Sequence, residues 1–343
     1  MIQLIIPSFF LSLFGIFTVF GIRQSLLASQ IVYFILAFLA FFIFKKIGPQ
    51  FFRINSRLIY WFFIAVLIIT FFIGLEVKGS KRWIDFYFYK FQASEFFKIF
   101  FILFLSEILV LKNHVNKLPA FVKCFFYFLL PTCIIFKQPD LGNAIVYIFV
   151  FITMVLFSDY PKKYLLYLIG LFIVAIPFGW FLLKSYQRER IMSFLNPNVD
   201  TQGIAYNMIQ AVITVGSGKF FGRGLGLGTQ SRFLFLPENH TDFAFSSLIE
   251  QFGFFGGLLA IICFSSLVYF LCKRMMKFYF QKTEESKKHF LYIVGLTSYF
   301  VFQVVVNISM NMGLLPVAGI ALPFISYGGS SVLALMIGFA LIP

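Results

Sequence analysis

Long apolar runs recur along the chain and restrict it to one class of fold. Most runs hold about 20 residues, enough helix to cross the ~30 Å hydrocarbon core of a bilayer. Because the backbone must satisfy its own hydrogen bonds in hydrocarbon, such runs form helices. We count about ten, at 4–21, 26–44, 58–75, 92–111, 119–136, 141–157, 164–183, 243–272, 290–312 and 331–342. The sequence therefore predicts an all-α polytopic membrane protein with about ten transmembrane helices.

Composition excludes an ordinary soluble domain. Of the 343 residues, 60% are hydrophobic and only 12% are charged, whereas soluble domains hold about 25% charged residues. The net charge of +15 would suggest a nucleic-acid partner in a soluble protein, but here it follows the loops. The loops after the second, fourth, sixth and eighth runs carry more than half of the 28 basic residues. This bias predicts cytoplasmic termini, and we expect membrane lipids but no nucleic acid as partners.

Cysteine and histidine give no sign of a metal centre. The 4 Cys lie within or at the ends of apolar runs without CxxC spacing, and the 3 His are far apart in sequence. Cysteines in that setting are typical of small buried hydrophobic residues. The glycine-rich segment at 218–228 matches neither the Walker A nor the GxGxxG pattern. We therefore predict no metal-binding residues and no certain cofactor.

A polar stretch directly before the eighth run stands out from the apolar sequence. The motif FLFLPENHTDFAF at 233–245 places five polar residues in a row: Glu238, Asn239, His240, Thr241 and Asp242. A carboxylate at such a boundary loses part of its hydration, which raises its proton affinity toward the range useful in acid–base chemistry. The alternative is a solvated loop that caps a helix, because Asp and Thr accept hydrogen bonds from free amides. The stretch alone favours neither interpretation.

Charged residues also lie inside the fourth run. Glu95 and Lys98 are spaced i, i+3, so they share a helix face and can pair within the membrane. Charges at that depth are costly unless they are paired or face a polar cavity. Two interpretations stay open: a pair that fixes helix packing, and residues that line a polar cavity.

The segment 184–242 is the longest stretch between apolar runs, and we predict that it forms a large extracytoplasmic loop between helices 7 and 8. An apolar stripe at 208–215 predicts a helix lying at the membrane interface. The glycines at 218–228 would permit close approach to a ligand, with Lys219 and Arg223 nearby for an anion; a flexible loop is the alternative.

The apolar segment 311–331 is interrupted by Pro and Gly. Broken helical backbone at membrane depth is stable only where protein or a water-filled cavity covers it, so we infer a cavity near Asp242.

Seven motifs, in order and over essentially the whole chain, resemble the RodA/FtsW/SpoVE family, the SEDS peptidoglycan glycosyltransferases. GTQ at 228–230 and FLNP at 194–197 are more similar to the RodA branch, which serves cell elongation, than to the FtsW division branch. This sequence departs from the family pattern at two positions: Ala93 replaces the usual proline, and Asn239 stands where arginine is common. The second departure removes a cation beside the proposed site at Asp242. The motifs are GSKRW at 79–83, QASEFFK at 92–98, QPDLG at 138–142, FLNPNVDTQGIAYN at 194–207, GRGLGLGTQ at 222–230, FLPENHTDFAF at 235–245 and GLLPVAGIALPFISYGGSS at 313–331.

The resemblance implies one membrane domain over 1–343 that polymerises lipid II into glycan strands at the outer face of the bacterial cytoplasmic (inner) membrane. Asp242 would be the general base on the acceptor 4-hydroxyl. Undecaprenyl diphosphate would leave, with inversion at the donor carbon. Cations would offset the charge of the departing phosphates. The candidates are Arg82, Lys98, Lys219 and Arg223, with Arg188, Arg190 or a divalent cation (Mg²⁺ or Mn²⁺) as alternatives.

The remaining expectations from the resemblance concern substrate and partners. Trp83 would stack on a sugar or position its loop, and the further substrate-binding candidates are Glu95, Glu238, His240, Thr241 and Ser330. The expected partners are lipid II, a class B penicillin-binding transpeptidase and other membrane proteins of the elongation complex. Two other functions stay open: a lipid II transporter (flippase), which broken helices would also serve, and a non-catalytic scaffold for the transpeptidase.

Overall fold

Helices make up most of the chain. The computed structural model describes residues 2–77, 80–86, 89–110, 116–183, 185–196, 204–281 and 283–343. A single 3-10 turn, Gln24–Leu26, links the first two helices. In chain order the α-helices of the described residues are α1 Ile2–Ile22, α2 Leu27–Ile47, α3 Pro49–Ile54, α4 Ser56–Ile73, α5 Ala93–Ile108, α6 Lys117–Lys137, α7 Leu141–Phe157, α8 Lys162–Leu182, α9 Ser185–Leu195, α10 Ile204–Ser217, α11 Thr229–Arg232, α12 Ala244–Tyr279, α13 Glu284–Asn311 and α14 Gly329–Ala340.

The long helices have the length and composition of membrane spans. Within the described residues, 7 helical segments are long and apolar enough to cross a bilayer, and α7 and α14 are shorter apolar helices. Many of their large side chains are exposed, for example Phe72 at 69% and Ile73 at 80%. An apolar surface of this kind is stable against lipid and not against water. The prediction of an all-α polytopic membrane protein is confirmed, and the number of about ten spans stays a prediction.

A small antiparallel sheet follows α4 in the loop that the sequence placed between the third and fourth runs. Its strands are β1 Leu75–Val77, β2 Ser80–Asp85 and β3 Lys90–Phe91, in the order β1-β2-β3. Trp83 pairs with Leu75, and Ile84 pairs with Phe91. Gly79 of the GSKRW motif lies outside the described residues. The sheet fixes the position of Arg82 and Trp83, which an unstructured loop would not do.

The chain forms two compact units, each with its own core. The first unit comprises Met1–Ala37, Ser185–Phe270 and Phe300–Val332, and the second comprises Phe38–Lys184, Leu271–Tyr299 and Leu333–Pro343. Aromatic rings dominate the second core, where Phe128 and Phe151 stack with their centroids 4.2 Å apart. Such pairs contribute about 0.5–1.5 kcal/mol beyond the area that they bury. One domain over 1–343 stays a prediction.

In its described residues, the segment that we predicted as a large extracytoplasmic loop holds three helices: α9, α10 and α11. The predicted apolar stripe lies on α10, whose Met208 and Ala211 are buried. They pack in one apolar cluster of the first unit with Leu236, Phe243, Met310 and Val317. Residues 197–203 of the FLNPNVDTQGIAYN motif lie outside the described residues. Phe243 therefore anchors the start of α12 in this cluster, directly after Asp242.

Candidate functional site

The backbone before α12 is held at four consecutive carbonyl groups. Each carbonyl accepts a hydrogen bond from a group outside the stretch, and every donor belongs to the first unit. A segment fixed at this many points keeps its side chains in a defined geometry. The bonds are Ser247 Oγ to Asn239 O (3.0 Å), Tyr327 N to His240 O (2.7 Å), Ser326 Oγ to Thr241 O (2.6 Å), and both Asn307 Nδ2 (3.1 Å) and Asn311 Nδ2 (3.0 Å) to Asp242 O.

Asn311 also satisfies the beginning of α12. Its Oδ1 accepts hydrogen bonds from Ser246 N at 3.0 Å and from Ser246 Oγ at 2.7 Å. The first amides of a helix have no partner within the helix, so an acceptor from a neighbouring helix stabilises this end. Thr241 Oγ1 donates to Glu238 Oε2 at 3.0 Å. An acceptor at this end of α12 is thus supplied by a residue far along the chain, and capping by Asp242 or Thr241 stays a prediction.

The proline- and glycine-interrupted segment after α13 lies against the Asp242 stretch. Asn307 Nδ2 donates to Ile320 O at 2.7 Å, and Ser326 Oγ accepts from Leu322 N at 2.8 Å. Breaking a helix frees its backbone groups, which must find other partners in an apolar environment. Here buried polar side chains supply them, and the same Ser326 hydroxyl reaches Thr241. The inferred cavity near Asp242 stays a prediction.

Asp242 and Arg190 share a small space beside Gly319. A Cβ added at Gly319 would lie 3.3 Å from Arg190 Nη1 and 3.9 Å from Asp242 Oδ2. Gly319 has φ +66, a conformation that favours glycine. Arg190, on α9, also donates from Nη1 to Val317 O at 3.3 Å. The fold therefore places one of our alternative cations next to the predicted base, and both side chains are half-buried.

Other predicted site residues also belong to the first unit. Glu238 has a positive φ of 52 and accepts from Thr241, as described above. His240 Nδ1 lies 3.2 Å from Asn239 Oδ1, and its ring lies 5.8 Å from that of Tyr327. Ser330 is buried in the first turn of α14. Roles for these residues in substrate binding stay predictions.

The glycine-rich segment packs against a break in α12. The break is at Gly253, with φ 69 and ψ −168. Arg223 N donates to Glu250 O at 2.8 Å, and Phe254 N donates to Lys219 O at 2.8 Å. A Cβ at Gly222 would lie 2.2 Å from Gln251 O, so glycine is required for this backbone approach. The segment is thus bonded to a helix, and the side chains of Lys219 and Arg223 are exposed.

The second unit holds a separate polar cluster, in which Asp140 is the central acceptor. Asp140 Oδ2 accepts from Asn143 Nδ2 at 2.8 Å and from Gln92 Nε2 at 3.2 Å. Arg82 Nη1 lies 3.6 Å from Asp140 Oδ1, and Arg82 also donates to the carbonyls of Gln138 and Pro139. Asp140 Oδ1 accepts from Asn143 N at 3.3 Å and so caps α7. Asp140 therefore both caps α7 and binds polar side chains of the cluster.

Glu95 and Lys98 belong to the same cluster. Lys98 Nζ donates to Glu95 Oε1 at 2.7 Å and to Asn143 Oδ1 at 2.8 Å, and it lies 4.8 Å from the centroid of the Tyr299 ring. The two charged side chains are only 2% and 8% exposed. This geometry fits the interpretation in which the pair fixes helix packing. Substrate binding by Arg82, Trp83, Glu95 and Lys98 stays a prediction.

Sequence reasoning did not identify the residues that position Asp242. Asn307, Asn311 and Ser326 were each read only as part of an apolar run or of the broken segment. The signal was present, because Asn307 and Asn311 are polar residues spaced i, i+4 inside the ninth apolar run, and polar residues at that depth are usually functional.

For the divalent-cation alternative, no group of three or more His, Cys, Asp or Glu in the described part of the chain has the geometry of a metal site.

Known proteins match this chain over nearly its full length. The family model of the FtsW, RodA and SpoVE cell cycle proteins matches residues 4–343. A probable peptidoglycan glycosyltransferase FtsW of Buchnera aphidicola subsp. Schizaphis graminum is 36% identical over 89% of this chain and 85% of the relative. Peptidoglycan glycosyltransferase MrdB of Helicobacter pylori is 34% identical over 99% of this chain and 86% of the relative. A chain in a solved peptidoglycan synthase complex has a TM-score of 0.82 and 25% identity, covering 99% of this chain and 95% of that one.

Proposed function

This chain belongs to the FtsW, RodA and SpoVE family of cell cycle proteins, and we propose that it is a peptidoglycan glycosyltransferase that polymerises lipid II. The observation that carries the proposal is the carboxylate of Asp242, set on a backbone held at four consecutive carbonyls with Arg190 beside it. Relatives at 34–36% identity are peptidoglycan glycosyltransferases by name. A fixed base next to a cation is what glycosyl transfer from a lipid diphosphate requires.

In the proposed reaction, Asp242 accepts the proton of the acceptor sugar's 4-hydroxyl as that oxygen attacks the donor. A bond forms between the 4-oxygen and the donor anomeric carbon, and the bond from that carbon to the phosphate oxygen breaks. Direct displacement inverts the α-linked donor to a β-linkage. The diphosphate is a weak base, so it leaves as an anion without strong acid assistance, and positive charge lowers the barrier.

Arg190 is the cation that the first unit places next to Asp242, and we assign it the role of offsetting the phosphate charge. A guanidinium matches phosphate oxygens through several donors. Lys219, Arg223, Arg82 and Lys98 stay candidates for other parts of the substrate. A divalent cation, Mg²⁺ or Mn²⁺, is the alternative source of positive charge.

We further propose that the chain works in cell elongation with a class B penicillin-binding transpeptidase. The likeness to a chain of a peptidoglycan synthase complex supports such a partner. The distribution of basic residues supports cytoplasmic termini in the bacterial inner membrane, with Asp242 at the outer side. The motifs GTQ and FLNP support the RodA branch.

The test is polymerisation of labelled lipid II by the purified chain, with and without a class B partner, read as glycan products on a gel. We expect polymer from the wild type and a loss of about 10²–10⁴-fold in rate for Asp242→Ala, the range for removing a general base. Polymer made by Asp242→Ala at the wild-type rate would show that the base is another residue. Movement of lipid II between leaflets without any polymer would favour the transporter, and partner recruitment alone would favour the scaffold.

A further inference from the structure

A second carboxylate of the first unit, that of Glu250, is completely buried about two turns beyond Asp242 on α12. Its relative exposure is 0%. A buried carboxylate costs several kcal/mol unless hydrogen bonds compensate it. Glu250 accepts bonds from four donors: Gln230 N at 2.8 Å, Ser231 N at 3.0 Å, Ser231 Oγ at 2.6 Å and Ser217 Oγ at 3.5 Å.

Gly228 leaves room for this carboxylate. A Cβ at position 228 would lie 2.5 Å from Glu250 Oε2 and 2.9 Å from Ser231 Oγ, so any side chain there would displace the acid. The GTQ motif, Gly228 to Gln230, therefore has a physical reason in this chain: its glycine admits Glu250, and the amides that follow it bind the carboxylate. The motif and the buried acid form one arrangement.

The hydrogen bonds continue from Ser231 to the Asp242 stretch. Asn239 Nδ2 donates to Ser231 O at 2.6 Å, and Asn239 is only 1% exposed. Its Oδ1 lies 3.2 Å from His240 Nδ1. Asn239 serves here as a buried link. Glu250 thus reaches the stretch that carries Asp242 through two residues, Ser231 and Asn239.

We infer that Glu250 is a positioning residue for Asp242, acting through Ser231 and Asn239. This inference rests on the proposed function, because the position of Asp242 matters only if Asp242 acts on substrate. Loss of the link would let the base move from its attacking geometry, and a displacement of 1 Å can cost about 100-fold in rate. Substrate binding itself would change little, since Glu250 has no exposed surface with which to touch a ligand.

The experiment compares wild type, Glu250→Gln, Asn239→Ala and the double variant in the lipid II polymerisation assay, with rates normalised to folded protein. We expect each single variant to lower kcat by about 10- to 100-fold, with KM changed less than about twofold. Because both residues belong to one chain of contacts, the double variant should lose no more than the worse single variant. Ser231→Ala removes only one of the four bonds to Glu250 and keeps both backbone links of Ser231, so it should lower kcat less than Glu250→Gln does.

Glu107→Gln is the matched control, because Glu107 is a largely buried carboxylate of the second unit, paired with Arg53 and Lys288. It should lower thermal stability without changing kcat per folded molecule. Losses that multiply in the double variant, or an unchanged kcat in Glu250→Gln, would overturn the positioning role. Failure of the wild type to make any polymer would instead overturn the proposed function, so the two failures are distinguishable.

Discussion

The two polar regions of this protein use charge in opposite ways. In the second unit, Asp140, Glu95 and Lys98 are buried and bond to one another through Asn143. In the first unit, the backbone around Asp242 is held by neutral side chains, and Asp242 and Arg190 stay half-buried. A buried charge paired within the protein stabilises packing, whereas a charge on a rigid but partly open support can meet a substrate.

Because of this difference, we expect substitutions of chemically similar residues to have different effects in the two polar regions. Buried ion pairs are hard to disturb singly, because removing one partner leaves the other charge uncompensated. Neutral donors that fix a backbone can be removed at lower cost, and the effect then falls on geometry. Substitutions in the second unit should therefore lower mainly the stability of the protein, and substitutions in the first unit should lower mainly the rate of polymerisation.

The largest expected effect is on stability, for Lys98→Met in the second unit. It leaves Glu95 without its cation inside an apolar environment, which costs about 3–5 kcal/mol. Thermal unfolding in detergent, followed by size-exclusion, measures the loss. The matched control is Lys287→Met, which breaks a pair of similar length, 2.8 Å to Asp159, between side chains 43% and 42% exposed and should cost about 0–1 kcal/mol. Equal losses of stability in the two variants would contradict the claim that burial makes the Lys98–Glu95 pair costly to break.

Arg190→Ala should have the next largest effect, on rate. Removal of one charge-stabilising group from a reaction site costs about 10²–10³-fold, or about 2.7–4 kcal/mol of barrier. Initial rates of lipid II polymerisation measure it, and Arg190→Lys should recover part of the loss because it keeps the charge. Arg23→Ala, at an exposed position of the same unit, is the control. A rate within twofold of wild type for Arg190→Ala would remove Arg190 from the mechanism.

Asn311→Ala should affect both properties to a smaller extent. It removes a donor to Asp242 O and leaves the buried Ser246 amide without its acceptor, and an unsatisfied buried group costs about 1–3 kcal/mol. We expect a lower unfolding temperature together with a slower rate. Asn55→Ala removes an exposed asparagine bond of similar length, 2.9 Å to Phe51 O, and should change neither. If Asn311→Ala lowered stability alone, its support of Asp242 would be dispensable.

The smallest expected effect is that of Gly319→Ala. Its φ of +66 is unfavourable for alanine by roughly 1–2 kcal/mol, and the new methyl group would press on Arg190 Nη1. We predict a rate reduced severalfold with a modest fall in stability. Gly179→Ala in α8 has nothing within 4 Å and should be neutral or slightly stabilising, by about 0.4–1 kcal/mol. The two variants measured side by side separate strain from helix propensity.

Much of the fold could be predicted from the sequence, because a segment that crosses hydrocarbon must be apolar and must satisfy its own backbone hydrogen bonds. Each apolar run overlaps one helix, with bounds that differ by at most seven residues, and the run 141–157 is α7 itself. The small sheet was not predicted, because its strands are too short to show a clear period of two in the sequence. The break of α12 at Gly253 was also missed. Glycine is common within apolar helices, so Gly253 alone does not predict a break. The broken backbone is stabilised by hydrogen bonds with residues 219–224, which are far from it in the sequence.

Composition and the order of the motifs were sufficient for the membrane class, the family and the choice of Asp242 as the residue to examine, because these depend on which side chains are present. Tertiary structure alone decided that Asn307, Asn311 and Ser326 hold the Asp242 backbone, that Arg190 lies beside it, and that Glu250 is bound by the amides of Gln230 and Ser231. Each of these contacts joins residues separated by helices or breaks. Spacing along the chain cannot specify such contacts, because they depend on how the helices pack.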